Sequence, residues 1–128
     1  MRLLVDTHIL LWALLEPERL PKDALALLED PAHTVLFSAA SIWEIAIKAQ
    51  LKRTNFSVRP REIARACRSA GFAELIVDSD TAARVAELEL FHGDPFDRLL
   101  IAQAVSHPAH FLTADRAFAP YSELVMLV

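Results

Sequence analysis

Short apolar runs alternate along this chain with longer stretches in which apolar residues recur every three or four positions. The short runs predict strands, and they occupy Arg2–Val5, Thr34–Phe37, Phe72–Val77, His110–Thr113 and Leu124–Leu127. The periodic stretches predict helices, and they occupy Thr7–Leu15, Pro21–Glu29, Ala39–Leu51, Pro60–Ser69, Asp78 or Ser79 to Leu90, and Asp94–Ser106. Because strands alternate with helices, the pattern predicts βαβ units joined by right-handed crossovers.

The remaining segments predict turns and loops. Lys52–Arg59 is polar and predicts a loop, Gly71 ends the preceding helix, and His92-Gly93 predicts a turn. Asp115–Phe118 predicts a turn or a short helix between the last two strands. We therefore expect an α/β fold with a central, mainly parallel five-stranded sheet, flanked by helices in three layers.

Length and composition agree with one compact domain. The chain has 128 residues, of which 54% are hydrophobic and only two are glycine. That length is enough for one domain with a proper core and too short for two. We expect a single domain over residues 1–128.

Acidic residues follow the apolar runs at several widely spaced points. The four candidates are Asp6, Glu44, Asp97 and Asp115. The carboxyl ends of parallel strands share one edge of a sheet, and ligands bind there. Acids at that edge repel one another unless a proton or cation neutralises them. Carboxylate oxygens select Mg²⁺ or Mn²⁺, so the pattern predicts metal-assisted chemistry.

Each of these acids also has a structural explanation. Asp6 is a candidate helix N-cap, in competition with Thr7. Glu44 completes a capping box with Ser41, or pairs with Lys48 one helical turn later.

The same holds for the acids in the second half of the chain. Asp94, Pro95 and Asp97 form a favourable helix start, with Asp94 as N-cap and both acids near the positive helix end. Asp97 shares a face with the apolar residues that follow it, so it tends to point inward and to need a partner or a metal. Asp115 is a candidate cap for the next short helix, and Arg116 can neutralise it.

Several other functions are disfavoured by the sequence. The chain has no glycine-rich phosphate loop, no HxxxH or HExxH pair and no GxSxG elbow. This argues against ATP- or NAD-dependent chemistry, a zinc protease and an α/β-hydrolase. The net charge of −4 argues against nucleic-acid binding by bulk electrostatic attraction.

The sequence predicts a soluble, cytoplasmic protein. Asp6 and His8 interrupt the apolar N-terminus, which makes it a poor signal peptide, and no apolar run reaches the length of a membrane span. The single cysteine, Cys67, cannot form an internal disulfide and is interpreted as a packing residue. A basic stripe of Arg61, Arg65 and Arg68 predicts either a solvated helix face or a contact with RNA or a partner.

Four segments together resemble a known family. They are VDTHILLW at 5–12, SAASIWEIAIK at 38–48, HGDPFDRLLIAQA at 92–104 and LTAD at 112–115. In this order, over nearly the whole chain, they resemble PIN-domain ribonucleases, specifically the VapC-type toxins of toxin–antitoxin pairs. The resemblance implies a PIN-like fold, Mg²⁺ or Mn²⁺ dependence and endonucleolytic cleavage of RNA. It also implies a homodimer and a cognate antitoxin protein.

By motif, the resemblance assigns roles to the acids. Asp6, Glu44 and Asp97 match the core acids of the family, Asp115 matches a more variable fourth, and Asp94 matches an accessory acid. We expect Asp6 and Asp97 to be primary metal ligands. Glu44 and Asp115 would hold a second ion, position water or act as base. Two alternatives are a non-catalytic PIN-like module that binds RNA or protein, and a haloacid dehalogenase-type phosphatase, whose pattern needs an aspartate where this chain has His8.

Overall fold

The computed structural model describes residues 1–51, 58–91 and 93–128, and these contain a five-stranded parallel sheet. Its strands are β1 (Arg2–Val5), β2 (Thr34–Ser38), β3 (Ala73–Leu75), β4 (His110–Thr113) and β5 (Val125–Leu127). The strand order is β3-β2-β1-β4-β5, and each neighbouring pair is parallel. The mainly parallel sheet expected from the sequence is confirmed.

Helices connect and cover these strands. They are α1 (Thr7–Leu15), α2 (Lys22–Glu29), α3 (Ala39–Gln50), α4 (Pro60–Ser69), α5 (Ser79–Arg84) and α6 (Pro95–Ser106). Short 3₁₀ segments lie at Pro17–Arg19, Val85–Glu87 and Arg116–Tyr121. Gly71 has a positive φ of 87°, which lets the backbone leave α4 and turn into β3.

Both faces of the sheet are buried against helices. Successive strand residues point to opposite faces, so in β1 Val5 enters one apolar cluster and Leu4 the other. The first cluster draws on α1, α2, α3 and α4, whereas the second draws on α6 and on Phe118 of the last 3₁₀ segment. This confirms the three-layer α/β/α arrangement.

The helix predicted from Asp78 or Ser79 to Leu90 is shorter than expected. Asp78 is its N-cap, but the α-helix ends at Arg84 and only a 3₁₀ turn follows. The Arg98 guanidinium, from α6, donates to the carbonyl oxygens of Val85 and Leu88 at 3.1 and 3.2 Å. The Val85 carbonyl also accepts from the backbone N–H of Leu88 at 3.2 Å, which closes the 3₁₀ turn. The Arg98 side chain thus bonds carbonyl oxygens that further helical turns would use.

The strand predicted over Phe72–Val77 is also shorter, at Ala73–Leu75. Just beyond its end, the Gln103 side-chain amide donates to the carbonyl oxygen of Ile76 at 3.1 Å. A side chain of α6 therefore bonds the backbone where a longer strand would need a neighbouring strand.

Smaller differences concern the helix starts and loops. Pro21 lies at the N-cap of α2, one position before the predicted first turn. Ser38 caps α3 through a bond from the backbone N–H of Ala40, so the alternative of a capping box starting at Ser41 is wrong. Most of the predicted Lys52–Arg59 loop, and His92 of the predicted turn, lie outside the described residues. Where the chain is described, its helices lack the length and apolar character needed to cross a membrane.

The buried Cys67 gives a test of this packing. Burial raises the pKa of its thiol from the ordinary value to about 11. At pH 8 the reactive thiolate is thus scarce in the native state, and we expect a chromogenic disulfide reagent to react at least roughly 100-fold more slowly than with the unfolded chain. Absorbance with and without guanidinium measures both rates. Equal rates would show that the thiol is accessible.

Candidate active site

Asp6 lies at the carboxyl end of the central strand, between the ends of β2 and β4. Its backbone N–H donates to the carbonyl oxygen of Leu112 at 2.9 Å, which continues the pairing of β1 with β4. The side chain is only 5% exposed and caps α1. Its Oδ1 accepts from the backbone N–H of Thr7, and its Oδ2 accepts from the Thr113 hydroxyl, both at 2.7 Å. The carboxylate is thus buried and held at both oxygens.

Burial has an electrostatic cost at this position. Burial raises the pKa of the Asp6 carboxyl above its ordinary value, and the charge of Glu44 raises it further. The hydrogen bonds from Thr113 and Thr7 lower that pKa, as does His8, but they do not cancel the effect of burial. The charged form of Asp6 therefore costs free energy in the folded state.

Glu44 is a second buried carboxylate, 4% exposed, in α3. The Thr7 hydroxyl lies 2.8 Å from its Oε1 and 2.9 Å from the hydroxyl of Ser41. The Lys48 ammonium lies 2.6 Å from its Oε2, so the predicted pairing one helical turn apart is confirmed. Thr7 links the two acids, because its backbone binds Asp6 while its side chain binds Glu44.

Asp94 and Asp97 approach the same region from the start of α6. Asp94 caps this helix, with its Oδ1 accepting from the backbone N–H groups of Phe96 and Asp97 at 2.8 and 3.2 Å. The cap predicted from the sequence is confirmed. Asp97 is half-buried, and the ring of Phe96 contacts Trp43 of α3.

The pKa of Lys48 reflects the charges that surround it. Its burial opposes the ammonium charge, yet the hydrogen bond and charge of Glu44, with the charges of Asp94 and Asp97, raise the pKa of Lys48 above its ordinary value. Three acids, from α3 and from the start of α6, therefore act on one cation.

Asp115, unlike the buried Asp6 and Glu44, is exposed. Its backbone N–H donates to Thr113 Oγ1 at 3.0 Å, and that same hydroxyl donates to Asp6. Its carboxylate, however, is exposed and caps the last 3₁₀ segment by accepting from the backbone N–H of Ala117 at 2.9 Å. Asp115 is next to the site through its backbone, and the structural explanation of its side chain is also correct.

The donor chemistry of these residues fits a hard divalent cation. The candidate ligands are all carboxylates, two of them buried, and a cation would offset the cost of charging Asp6. As the side chains lie, no three histidine, cysteine, aspartate or glutamate side chains of the described residues form a ready-made metal site. A metal ion shared by three of these acids therefore requires side-chain rotation.

Two hydroxyl groups of this site, those of Thr113 and Thr7, were not predicted from the sequence. The register pairs Val5 with Leu112, which sets Asp6 beside Thr113 at the ends of adjacent strands. The signal was present in the sequence, because Thr113 follows an apolar run just as Asp6 does. Only acids at the strand ends were predicted as site residues, and the Thr113 hydroxyl that donates to Asp6 was not.

Fold and site together define an α/β protein that gathers carboxylates at the carboxyl edge of a parallel sheet. The sequence matches the PIN domain family over residues 3–124. The chain therefore belongs to the PIN domain family.

Comparisons with known proteins agree with this family. "Ribonuclease VapC22" of Mycobacterium tuberculosis is 32% identical over 117 residues, which cover 88% of this chain and 86% of that protein. The fold is similar to that of VapBC2 from Rickettsia felis bound to a DNA fragment from their promoter, with a TM-score of 0.63 and 15% identity over 100% of this chain and 98% of that chain. It is also similar to FitAcB from Neisseria gonorrhoeae, with a TM-score of 0.56 and 22% identity over 90% and 88%.

The raised pKa of Asp6 predicts how a variant responds to pH. We expect Asp6→Asn to be more stable than the wild type at pH 7 in EDTA, since asparagine still caps α1 and carries no buried charge. Below the ordinary aspartate pKa of about 3.9, Asp6 is protonated in both the folded and the unfolded protein, so there is no cost of burying its charge. This cost grows as the pH rises through the ordinary pKa, and it is complete above the raised pKa that Asp6 has in the folded protein.

Denaturant titrations from pH 4 to pH 8 measure this difference in unfolding free energy. A tenfold change in proton affinity corresponds to about 1.4 kcal/mol. A difference that stays constant across the range would contradict the assignment of a charged, buried Asp6.

Proposed function

We propose that this protein is a VapC-type endoribonuclease, which hydrolyses RNA phosphodiester bonds and acts as the toxin of a toxin–antitoxin pair. The observation that carries the proposal is a buried Asp6 coupled to Glu44 at the carboxyl edge of a PIN-family sheet. The relative that is 32% identical over 117 residues is named a ribonuclease. The protein is thus a hydrolase of the nuclease class.

A divalent metal ion belongs to this chemistry, and we propose Mg²⁺, with Mn²⁺ as an alternative. Asp6 and Asp97 would hold it, while Glu44 and Asp115 would hold a second ion, position water or act as base. Asp94 would orient these groups. When bound, such an ion lowers the pKa of water and stabilises charge on the phosphoryl oxygens.

Neighbouring residues orient the acids and offset their charge. The Thr7 N–H and the Thr113 hydroxyl fix both oxygens of Asp6, which leaves the remaining lone pairs of that carboxylate for a cation. Lys48 offsets the charge of Glu44 at 2.6 Å. Two of the proposed ligands, Asp6 and Glu44, are therefore oriented by the chain before a substrate arrives.

Partners follow from the same relatives. Proteins of this fold have been solved as VapBC2 and FitAcB, and also as FitAB bound to the IR36 DNA fragment. We propose that this chain likewise binds a cognate antitoxin protein, that the antitoxin blocks the acid-lined edge, and that the chain forms a homodimer. Its substrate is RNA.

Cleavage assays on the variants test the assignment of the acids. We expect Asp6→Asn and Asp97→Asn each to lower the rate of Mg²⁺-dependent RNA cleavage at least roughly 100-fold, since disturbing even the groups behind a metal ligand costs 10- to 100-fold. Asp115→Asn should cost less, because that side chain is exposed and caps its own helix. Asp23→Asn, an exposed acid of α2, is the matched control and should keep full activity.

The assay uses purified, antitoxin-free protein and several classes of RNA, with mapping of the new RNA ends. EDTA should stop cleavage and added Mg²⁺ should restore it. Full activity of folded Asp6→Asn would refute the assigned site. Intact RNA with the wild type and all metals would instead favour a non-catalytic binding module.

Metal binding is testable without cleavage. A ligand that binds only the folded state raises its stability, so we expect Mg²⁺ or Mn²⁺ to raise the Tm of the wild type at pH 7.5. Asp6→Asn and Asp97→Asn should lose most of this increase, whereas Asp23→Asn should retain it. Calorimetry measures these Tm values. Equal increases in Tm in the wild type and all three variants would show that the metal binds elsewhere.

A further inference from the structure

Lys48 contacts a buried acid of the site rather than an acid on an open helix face. Its Nζ lies 2.6 Å from Oε2 of Glu44, one turn earlier in α3. Glutamate–lysine pairs at this spacing are common on exposed helix faces, where water screens both charges and the pair stabilises little. Here the Glu44 side chain is only 5% exposed, whereas the Lys48 side chain is 43% exposed. The pair therefore joins a carboxylate of the site to a cation that reaches it from the solvent side.

Each oxygen of the Glu44 carboxylate has a different kind of partner. Oε1 lies 2.8 Å from the Thr7 hydroxyl, which is neutral, and Oε2 contacts the Lys48 ammonium. Of these two partners only the ammonium is charged. Lys48 is therefore the counter-charge of Glu44, and Thr7 is the neutral group that fixes the other side of the same carboxylate.

The negative charge around Lys48 exceeds the positive charge that it carries. Asp94 and Asp97, at the start of α6, lie close enough for their charges to act on the same ammonium as Glu44 does. Three carboxylates thus face one positive charge. A divalent cation has twice the charge of an ammonium and takes carboxylate oxygens as ligands. Because two cations on one carboxylate repel each other, such a cation and Lys48 compete for Glu44.

Lys48 can leave Glu44 without a change in the backbone. Its ammonium is carried by a flexible stem of four carbons and is strongly hydrated in water. Since the side chain is 43% exposed, rotation of the stem moves the ammonium into solvent. Glu44 keeps its contact with the Thr7 hydroxyl at its other oxygen. Exchange of cations at Oε2 therefore requires movement of the lysine side chain and not of α3.

We propose that Lys48 is an exchangeable counter-ion of Glu44, which gives way when a divalent cation binds to the acids. In metal-free protein the ammonium offsets the charge of Glu44, and in metal-bound protein the lysine side chain turns to solvent. The inference rests on the proposed function, which supplies the cation, and it adds a residue that sets the affinity for that cation. Lys48 acts through Glu44 and takes no part in the bond-breaking step.

A purely structural role of Lys48 makes the opposite prediction. If Lys48 only held Glu44 in the orientation that suits the metal, its removal would weaken metal binding. If Lys48 competes with the metal, its removal strengthens metal binding, because the acids lose a positive charge that opposes a second cation. The sign of the change in metal affinity thus separates the two roles.

Electron paramagnetic resonance of free Mn²⁺ measures this affinity without any cleavage. We expect Lys48→Met, which keeps the stem and removes the charge, to bind Mn²⁺ roughly fivefold or more tightly than the wild type. Lys48→Arg keeps the charge and should stay close to the wild type. Lys22→Met removes an exposed lysine of α2 and is the matched control, with unchanged affinity. Weaker or unchanged Mn²⁺ binding by Lys48→Met would overturn the inference.

Stability in the presence and absence of metal gives a second measurement. In EDTA, Lys48→Met should have a lower Tm than the wild type, because Glu44 has lost its counter-charge. Saturating Mn²⁺ should raise the Tm of Lys48→Met by more than it raises that of the wild type, since the tighter ligand stabilises the folded state more. An increase that is smaller than in the wild type would contradict the exchange.

Nuclear magnetic resonance follows Lys48 in the unchanged protein, so the test does not depend on how well a variant folds. The chain has three lysines, and ¹³C-labelled lysine therefore gives few signals. The Lys48 signal is identified by its absence from Lys48→Arg. Mg²⁺ should shift this signal saturably towards the position of an exposed lysine and leave that of Lys22 in place. A Lys48 signal that stays fixed while Mg²⁺ binds would refute the exchange.

Cleavage assays separate this inference from the proposed function. Half-maximal RNA cleavage should need less Mg²⁺ in Lys48→Met than in the wild type. Unchanged Mn²⁺ affinity in Lys48→Met, together with normal wild-type cleavage, would reject the counter-ion and leave the proposed function standing. Tighter Mn²⁺ binding by Lys48→Met, in a protein that cleaves no RNA in any form, would support the counter-ion and reject the nuclease.

Discussion

Thr7 holds together two buried carboxylates, and the arrangement of the site depends on that one residue. Its N–H binds Asp6 at 2.7 Å and its hydroxyl lies 2.8 Å from Glu44. Buried polar groups without hydrogen-bond partners are costly, and Thr7 supplies one such partner to each carboxylate. Because the backbone and the side chain of one residue contact different acids, Thr7 links Asp6 at the start of α1 to Glu44 in α3.

The strand order supplies the remaining partners. β1 lies between β2 and β4, so the end of β1 faces the end of β4, from which Thr113 donates to Asp6. The end of β1 also faces the start of α3, the helix that carries Glu44. The contact between Thr113 and Asp6 joins residues 107 positions apart. A different strand order would leave Asp6 buried without that bond. The strand order thus determines which groups surround the Asp6 carboxylate.

Most of the architecture was predictable because it follows from local patterns. Apolar runs marked the strands, and capping chemistry marked the start of α6 at Asp94. The end of α5 was not predictable, because Arg98 bonds carbonyl oxygens 10 and 13 residues away. For the same reason the sequence could nominate Asp6 and Glu44 but could not show that one threonine joins them.

The charge of the site raises a problem that its surroundings help to solve. Carboxylates that suit a divalent cation also repel the phosphates of RNA, and burial of Asp6 makes the uncompensated charge more costly still. In the proposed reaction, therefore, cation and RNA each favour binding of the other by linkage, since the cation removes the repulsion that opposes the phosphate. A site of this kind thus couples its affinity for the phosphate of RNA to its affinity for the cation.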